Sequence, residues 1–465
     1  MADELIWESA VSLSEKIRNK ELSARELMTS MLDRIDEINP KITAVVSLRD
    51  RDELLAEADA ADATEPKGPL HGIPHAIKDL ADVAGFPTRS GSLTTSDQPV
   101  ATDTLFVERM RNAGSIFIGK TNTPEFGAGS HTFNEVFGTT RNPHNLGRTA
   151  GGSSGGAGAA LTTGMVPLAD GSDLGGSLRN PAAWNGVVGF RPSLGAVPEV
   201  PTVSGFINDL AVSGPMARSV EDVAMLYSVM AGPDPRAPRS RLTPGGTFAP
   251  PLEGSLAGMR VAWAGELDLY WEPEAYQVPL DAMSVFSDNG ASVTEAAPDL
   301  SDAMWIFRVF RGLLFHDKGT SVPAEVWQSM KQTLVENIQF GLDLTVEEVM
   351  RAEDARTKLH LNVVEFFELH DVLALPTTQV APFPVEVEFP TDISGAPMED
   401  YLSWMTSCCL ITPTGCPAIS MPCGTTTDGM PLGVQLIAAP GQDRKLLEIA
   451  HAFEAAAPPA PRPDL

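Results

Sequence analysis

Hydrophobic positions recur at helical spacing through the first 62 residues of the chain. Two S-x-x-E boxes, at residues 12–15 and 23–26, each predict the start of a helix, because the serine and the glutamate of such a box satisfy free N–H groups of the first turn. Apolar residues in 27–38 then fall on one face, and Asn39 and Pro40 are expected to end the helix. We expect this region to form an outer helical layer.

Beyond residue 62, short apolar runs alternate with helical patterns. The runs that predict buried strands lie at 77–80, 115–118, 259–263, 292–294, 371–375, 417–421 and 432–437. The helical patterns lie at 103–112, 219–230, 273–288, 301–370 and 444–456. This alternation predicts an α/β fold, with a mixed or largely parallel central sheet covered by helices on both faces.

Five aromatic residues cluster in the helical region that begins at residue 301. Their spacing is typical of a hydrophobic core, although a substrate pocket stays open as the alternative. They are Trp305, Phe307, Phe310, Phe315 and Trp327.

The composition narrows the class of protein. The 465 residues are 43% hydrophobic and 20% charged, as in soluble globular proteins, and carry a net charge of −28. This charge argues against nucleic acid or an anionic membrane as a partner, since both require clustered cations. No apolar run approaches the roughly 18 residues of a membrane span, and the acidic N-terminus does not resemble a signal peptide.

All four cysteines lie in one short segment, and their spacing does not match a zinc site. We interpret them as buried thiols of a cytoplasmic protein that uses no metal. They are Cys408, Cys409, Cys416 and Cys423.

A lysine between apolar neighbours marks a Pro- and Gly-punctuated segment at residues 66–80. Lys78 lies in a short predicted strand. Burial would disfavour its charged form and make the neutral amine a usable base. The alternative is that Lys78 extends from the strand end to solvent.

Two glycine-embedded serine clusters stand out in residues 151–191: GGSSGG at 151–156 and DLGGSLR at 173–179. Glycines allow backbone N–H groups to converge, and serine supplies a nucleophilic hydroxyl. The pattern therefore indicates an oxyanion-binding turn with a nucleophile in it. A long polar loop at 119–145 leads into it and is also expected to be functional.

An α/β-hydrolase offers one explanation of these serines. GGSSGG contains G-x-S-x-G twice, centred on Ser153 and on Ser154. That motif needs a strand just before it, and residues 141–150 are a poor strand. Its triad needs a downstream histidine, and the candidates are not in glycine-rich loops. They are His316, His360, His370 and His451. We therefore disfavour this interpretation.

A set of sequence blocks resembles the amidase signature family, in the order in which the family has them, over about residues 66–450. The blocks are GIPHAIKDL, GKTNTPEF, GTTRNPHN, GGSSGGAGAALTTGMVPLADGSDLGGSLRNPAAWNGVVGFRPS, GPMARSVEDVA, DVLALPTTQVAPFP and GCPAISMPCGTTTDGMPLGVQLIAAPGQD. Members of this family include the A subunit of glutamyl-tRNA amidotransferase and fatty-acid amide hydrolase.

The resemblance implies the amidase signature fold as a single domain over residues 1–465. Its parts would be N-terminal helices (1–62), a catalytic core (66–230), a variable substrate region (233–370) and C-terminal core strands with a closing helix (371–457). The implied activity is hydrolysis of a linear carboxylic amide, a carbon–nitrogen bond other than a peptide bond, with no cofactor.

The resemblance also assigns a Ser-Ser-Lys triad. Ser177 would be the nucleophile, Ser153 the bridging serine after a cis peptide bond from Gly152, and Lys78 the base. The backbone N–H groups of an oxyanion hole would come from Leu174, Gly175, Gly176 and Ser177.

Further residues around the triad receive supporting roles from the resemblance. Asp173 and Arg179 are expected to pair and hold the nucleophile turn. The substrate cleft would be lined by the segment FGAGS, with Phe126, Gly127, Gly129 and Ser130.

Four residues near the turn differ from the family pattern or shape the pocket, and none of them is expected to touch the triad. They are Ser172, Leu174, Asn180 and Trp184.

Alternatives remain within the family. The chain resembles free-standing amidases that act on a small amide, with an aryl or apolar group suggested by the aromatic residues. The other options are a glutamine-hydrolysing subunit of a tRNA-dependent amidotransferase, and an ester or carbamate hydrolase with the same triad. Specificity would come from residues 195–370 and 401–407. A homodimer is left open.

Overall fold

A mixed sheet of eleven strands runs through the protein. The computed structural model describes residues 2–207 and 210–465; Met1, Asn208 and Asp209 lie outside it. The strands, including those of three small two-stranded sheets, are β1 (Val45–Val46), β2 (Pro74–Lys78), β3 (Ile116–Thr121), β4 (Phe133–Asn134), β5 (Gly138–Thr139), β6 (Arg141–Asn142), β7 (Asn145–Thr149), β8 (Leu168–Asp173), β9 (Val188–Arg191), β10 (Val212–Ala217), β11 (Arg260–Trp263), β12 (Ser292–Glu295), β13 (Val372–Pro376), β14 (Asp392–Ile393), β15 (Ala396–Pro397), β16 (Ala418–Thr425) and β17 (Pro431–Ile437).

The order of strands in the large sheet is β1-β3-β2-β8-β10-β9-β16-β17-β13-β11-β12. Strand β2 pairs in parallel with β3 and β8, and β11 pairs in parallel with β12 and β13. The other pairs are antiparallel. The predicted mixed sheet is confirmed.

Helices cover both faces of this sheet. They are α1 (Ala2–Leu5), α2 (Ala10–Arg18), α3 (Ala24–Ile42), α4 (Arg51–Asp62), α5 (Leu105–Asn112), α6 (Gly155–Thr162), α7 (Arg179–Asn185), α8 (Val220–Met230), α9 (Pro273–Asp281), α10 (Ser284–Asp288), α11 (Ala303–Ser321), α12 (Gln332–Asp343), α13 (Val346–Leu369), α14 (Thr406–Ile411) and α15 (Asp443–Ala456). Consecutive strand residues point into different hydrophobic clusters, as Ala76 and Ile77 do on β2. Each face of the sheet therefore has its own core.

The N-terminal region differs from prediction in three places. Helix α2 begins after Ser9, whose side chain accepts from the Ser12 N–H, so the predicted start at Ser12 is wrong. Helix α3 begins with the predicted Ser23–Glu26 capping box but continues through Pro40, because Ile42 of its last turn is buried in the core. The short β1 follows, and it adds an edge strand to a region predicted to be helical.

The other predicted elements lie within a few residues of their predicted positions, but the central strands β8, β9 and β10 were not predicted from the sequence. The predicted helix at 273–288 is divided into α9 and α10 at Ala282 and Met283. The polar loop at 119–145 contains the end of β3, a 3₁₀ turn at Glu125–Gly127 and short strands. Among residues 2–207 and 210–465, no helix is both long and apolar enough to cross a membrane.

The sheet brings the two key segments to one edge. Strands β2 and β8 are parallel neighbours, so their carboxyl ends point the same way. Strand β2 ends at Lys78, and β8 ends at Asp173, immediately before the second glycine–serine cluster. Residues about a hundred positions apart in sequence thus meet at the ends of adjacent strands.

Candidate active site

Lys78 is buried at the end of β2, with only 1% of its surface exposed. Its Nζ lies 2.8 Å from Ser153 Oγ, 2.8 Å from Ser154 Oγ and 3.0 Å from Ser172 Oγ. The alternative that this lysine extends to solvent is therefore wrong.

The environment favours the neutral amine of Lys78. Burial lowers its pKa to about 7, although the charges of Asp170 and Asp173 act in the opposite direction. A neutral amine has two N–H donors and one lone pair. It can therefore donate to two of the three surrounding hydroxyls and accept a proton from the third.

Two of those hydroxyls are contacts that the sequence did not predict. Ser172 was expected not to touch the triad, but its Oγ reaches Lys78 Nζ because β8 lies beside β2. Ser154 was considered only as the centre of a G-x-S-x-G motif, not as a contact of Lys78. Its position in a glycine–serine cluster is a signal, whereas the contact of Ser172 depends on strand order, which local sequence does not show.

Ser153 follows a cis peptide bond from Gly152, as the family resemblance implies. The carbonyl of Gly152 accepts a hydrogen bond from Ser130 Oγ at 2.7 Å. Asn180 in turn donates to Ser130 Oγ at 3.0 Å. The contacts of the Ser130 side chain position the backbone next to Ser153, and its role in binding substrate stays a prediction.

Ser177 lies on the adjoining turn, with 7% of its surface exposed. Its carbonyl accepts a hydrogen bond from the N–H of Ser154 at 3.2 Å, which links the two serine clusters. Within the described residues, its hydroxyl makes no hydrogen bond to Ser153 or to any other group. The structure thus brings Lys78 directly to Ser153 and places Ser177 on the neighbouring segment.

Asp173 organises the turn that carries Ser177. Its carboxylate accepts from the N–H groups of Gly176 (2.9 Å) and Leu178 (3.1 Å) and from two guanidinium nitrogens of Arg179 (3.0 and 2.9 Å). Burial alone would raise the pKa of Asp173, but Arg179, Arg191 and these hydrogen bonds hold it well below its ordinary value. The predicted pair is present and fully buried.

Arg179 also ties the turn to the C-terminal part of the chain. Its Nη1 donates to the Cys408 carbonyl at 3.1 Å and to Gln435 Oε1 at 2.9 Å. The guanidinium therefore links the turn that carries Ser177 to helix α14 and strand β17.

The glycines of this turn have no room for a side chain. A Cβ at Gly175 would lie 3.0 Å from the ring of Phe307, and one at Gly176, where φ is +109°, would lie 2.7 Å from Cys408 Cβ. The Gly176 N–H donates to Asp173, whereas those of Leu174, Gly175 and Ser177 make no hydrogen bond within the described part of the chain. Of the four predicted oxyanion donors, three thus have no partner among the described residues.

A cavity of about 570 Å³ reaches Lys78 from one side. Phe126, Phe315 and Lys318 line it. Lys318 Nζ lies 3.4 Å from the centroid of the Phe126 ring, and burial lowers the pKa of Lys318 to about 8, with Glu125 acting in the opposite direction. Phe126 was predicted to line the substrate cleft, and this cavity contains it.

The predicted cleft segment continues beside the serines. A Cβ at Gly127 would lie 3.5 Å from Ser153 Oγ, so this glycine lies next to Ser153. A Cβ at Gly129 would lie 3.1 Å from Lys331 Nζ, which donates to the Ala128 carbonyl at 2.7 Å.

The five aromatic residues of α11 and of the turn after it were interpreted as hydrophobic core, with a substrate pocket as the alternative, and the structure contains examples of both. Phe307 is buried against the nucleophile turn, and Phe310 is also buried. Phe315 lines the cavity. Trp305 and Trp327 are partly buried at the margins of two hydrophobic clusters.

The residues just before GGSSGG were predicted to be a poor strand, and the structure differs from this prediction. Residues 145–149 do form a strand, β7, but it pairs with β6 in a small separate sheet and not in the central sheet. The four downstream histidines belong to helices α11, α13 and α15 or, for His370, to the end of α13, and no hydrogen bond joins them to either serine cluster within the described residues. The hydrolase elbow remains disfavoured for these reasons.

The cysteines are free thiols, three of them buried and Cys423 half-buried. Burial raises the pKa of Cys408 to about 12, which makes its thiol unreactive at neutral pH. In the part of the chain that is described, no group of three or more His, Cys, Asp or Glu side chains could hold a metal ion.

Comparisons with known proteins agree over nearly the whole chain. The family model for amidases matches residues 26–447. An acylamidase from Rhodococcus erythropolis is 36% identical, covering 98% of this chain and 96% of its own. The A subunit of the glutamyl-tRNA(Gln) amidotransferase of Acidothermus cellulolyticus is 33% identical, covering 97% of this chain and 95% of its own.

Solved structures show the same architecture. A bacterial aryl acylamidase of the amidase signature family superposes with a TM-score of 0.88 at 29% identity, covering 97% of this chain and 96% of the other. A 6-aminohexanoate cyclic dimer hydrolase superposes with a TM-score of 0.87 at 29% identity, covering 99% of both chains. The chain therefore belongs to the amidase signature family and is an amide hydrolase acting on carbon–nitrogen bonds other than peptide bonds.

Proposed function

We propose that the protein hydrolyses a linear amide through an acyl-enzyme on Ser177, with Ser153 as proton relay and Lys78 as base. The observation that carries this proposal is the 2.8 Å contact between Lys78 Nζ and Ser153 Oγ, in an environment that lowers the pKa of the lysine to about 7. A base with a pKa near the working pH is suited to accept and return a proton in each turnover.

The contact between Lys78 and Ser153 supports the first step of the proposed proton path, and the transfer between Ser177 and Ser153 is part of the proposal. Neutral Lys78 accepts a proton from Ser153, and Ser153 accepts one from Ser177 as Ser177 attacks the carbonyl. When the tetrahedral intermediate collapses, the carbon–nitrogen bond breaks and Ser153 returns a proton to the leaving amine. Water then attacks the acyl-enzyme ester by the same relay and releases the acid. Ser154 and Ser172 hold the amine of Lys78 in place throughout.

The oxyanion hole is proposed at the N–H groups of Leu174, Gly175 and Ser177, which are left without a partner in the described chain. Loss of one such donor typically costs about 10²–10³ in rate. The Gly176 N–H is directed to Asp173, so we assign it to holding the turn and not to the oxyanion.

A free-standing amidase with an aryl or apolar substrate is the version we favour. Support comes from the acylamidase relative, which is more similar (36%) than the amidotransferase relative (33%), and from the phenyl groups of the cavity wall. We further propose one domain with residues 233–370 as the variable substrate region, and a cytoplasmic location, which the free thiols support. Ester or carbamate cleavage and glutamine hydrolysis remain as outcomes of an assay.

The test combines trapping with mutation. A fluorophosphonate should label Ser177, as read by peptide mass spectrometry; a label on Ser153 or Ser154 would overturn the assignment. Lys78→Ala and Ser177→Ala should each lower anilide hydrolysis by at least about 10³-fold with an unchanged melting curve. Lys358→Ala, which removes an exposed lysine of α13, is the matched control. Ammonia release from glutamine, but not from anilides and only with added partner proteins, would favour the amidotransferase function.

A further inference from the structure

One face of α11 runs from the nucleophile turn to the cavity. Phe307, Arg311, Phe315 and Lys318 are spaced by three or four residues and so share this face. Phe307 contacts the turn at Gly175, whereas Phe315 and Lys318 line the cavity that reaches Lys78. Arg311 therefore lies between the oxyanion turn and the cavity, about one helical turn of 5–6 Å from Phe307.

Arg311 is a buried charge whose polar partners are neutral. Its surface is 5% exposed, and its guanidinium donates to two oxygens, Asn337 Oδ1 and Tyr401 OH. No carboxylate of the described residues lies within ion-pairing distance of it. An arginine stays protonated even where burial lowers its pKa, so this site keeps its positive charge.

The nearby carboxylates are directed to other partners. Asp400 forms a two-nitrogen pair with Arg308. Glu388 accepts from Thr333 Oγ1 at 2.8 Å and lies 3.4 Å from Lys331 Nζ.

Glu125 is also engaged, since it accepts from Ser92 Oγ at 2.7 Å and from the Lys331 N–H at 2.7 Å. Lys318 adds a second cation; its ammonium contacts the Phe126 ring and forms no ion pair with any residue in the described ranges. Asp170, Glu199 and Asp317 also line this cavity, so the charge that no described carboxylate pairs with on this face of α11 is that of Arg311.

We propose that Arg311 binds a carboxylate of the substrate, so that the enzyme hydrolyses amides that carry an anionic group. An uncompensated buried charge is costly, whereas a guanidinium–carboxylate pair in such a setting is strong. Because Phe307, one turn from Arg311, contacts the turn at Gly175, the carboxylate would lie on the same side as the scissile carbonyl, next to the phenyl ring of Phe315. This inference rests on the proposed function only for the position of the reacting carbonyl.

The test compares two amides that differ in charge. N-phenylsuccinamate carries a carboxylate two methylene groups from its anilide carbonyl, and butyranilide is its neutral counterpart. With the full-length Ser177→Ala protein, calorimetry should show that the anion binds at least about tenfold more tightly. Adding Arg311→Met should abolish this preference and change butyranilide binding by less than about threefold. Equal binding of the two amides, or equal losses for both in the double variant, would overturn the proposal.

Two further variants keep the experiment decisive. Arg308→Met removes a neighbouring arginine of α11 that already has Asp400 as its partner, and should leave the preference unchanged; an equal loss there would contradict the role of Arg311. If Arg311→Met does not fold, Arg311→Gln keeps polar contacts to Asn337 and Tyr401 without the charge and should lose the preference in the same way.

Turnover is measured separately, as aniline release by the enzyme with Ser177 intact. A binding preference for the anion without aniline release from either amide would refute the proposed function and leave the anion site standing. Release of aniline from butyranilide at the same rate as from N-phenylsuccinamate, with no binding preference, would refute the anion site and leave the proposed function standing.

Discussion

Two buried arginines lie close to the candidate nucleophile turn, and their surroundings differ sharply. Arg179 is completely buried and forms two hydrogen bonds with the Asp173 carboxylate, and its remaining contacts are also polar groups of the protein. Arg311 is nearly as buried, but its two partners are neutral. On the turn that carries Ser177, the charge of Arg179 is paired within the protein. On α11, the charge of Arg311 is not.

This difference separates two requirements of an enzyme. The turn that carries Ser177 must keep the same geometry with or without substrate, and internal pairing of Arg179 provides that rigidity. Under our proposal α11 contacts the variable part of a substrate, and Arg311 gains its counterion only when the substrate binds. We expect substitutions on the turn to affect folding and rate, and those on α11 to affect the choice of substrate.

Asp173→Asn should give the largest loss of stability, because it removes the carboxylate that pairs with Arg179 and Arg191. Arg179 and Arg191 would remain buried next to a neutral amide, which we expect to cost about 3–5 kcal/mol in the free energy of unfolding, measured by urea denaturation. Asp400→Asn is the control, because its pair with Arg308 is about one-third exposed and should change stability by about 0–1 kcal/mol. Similar losses in both variants would mean that the turn and α11 do not differ.

The pH dependence of the reaction should reflect the ionisation of Lys78. The pKa of Lys78 is lowered to about 7, and in the proposed mechanism the neutral amine is the active form, so we expect activity to be present above pH 7 and to be lost as the pH falls. We expect kcat/KM to fall about tenfold per pH unit below about pH 6.5.

Asp170→Asn offers a way to shift this profile. The charge of Asp170 raises the pKa of Lys78, so its removal should move the acid limb to lower pH. A profile that is flat between about pH 5 and 8 would exclude Lys78 as the base.

Ser172→Ala should have a moderate effect on the rate. It removes one of three hydroxyls that hold Lys78 Nζ, and the loss of one hydrogen bond corresponds to about 0.5–1.5 kcal/mol, or about 2- to 13-fold in kcat. Ser172→Thr keeps the hydroxyl and serves as the control in steady-state assays. A KM effect without a kcat effect would place Ser172 in substrate binding.

Lys318→Met, on α11, should give the smallest change in the stability of the protein. Its ammonium contacts the Phe126 ring, an interaction of about 0.5–1 kcal/mol, so thermal denaturation should shift little. Lys331→Met, which removes a lysine bonded to the Ala128 carbonyl and close to Glu388, is expected to be more destabilising. The reverse order would show that Lys318 has a structural role.

The fold class and the candidate triad could be predicted from the sequence because both depend on local patterns: strand-like runs, glycine–serine clusters and family motifs. Prediction failed where long-range packing overrides a local signal. Pro40 was expected to end α3, but the burial of Ile42 carries the helix past it. Ser172 was expected not to touch the triad, but it contacts Lys78; the prediction failed because the adjacency of β2 and β8 is a property of the sheet and not of the local sequence.

The lack of a counterion at Arg311 could not be predicted from the sequence either. The spacing of Phe307 and Phe315 indicated a buried helix face, but whether the arginine between them has a counterion depends on residues far away in the chain. Asp400, a nearby carboxylate, lies 92 positions from Arg308, with which it pairs. Only the three-dimensional arrangement shows that it is not available to Arg311.

The bonds from Arg179 to Cys408 and Gln435 bear on how the protein becomes active during its synthesis. Lys78, Ser153 and Ser177 all leave the ribosome in the first two-fifths of translation, but the turn that carries Ser177 lacks its support until α14 and β17 have followed. Domains fold as units when enough of the chain has emerged. If Lys78, Ser153 and Ser177 act as proposed, we expect a nascent chain that already contains all three to stay inactive until β17 joins the sheet, so that the order of synthesis delays hydrolysis.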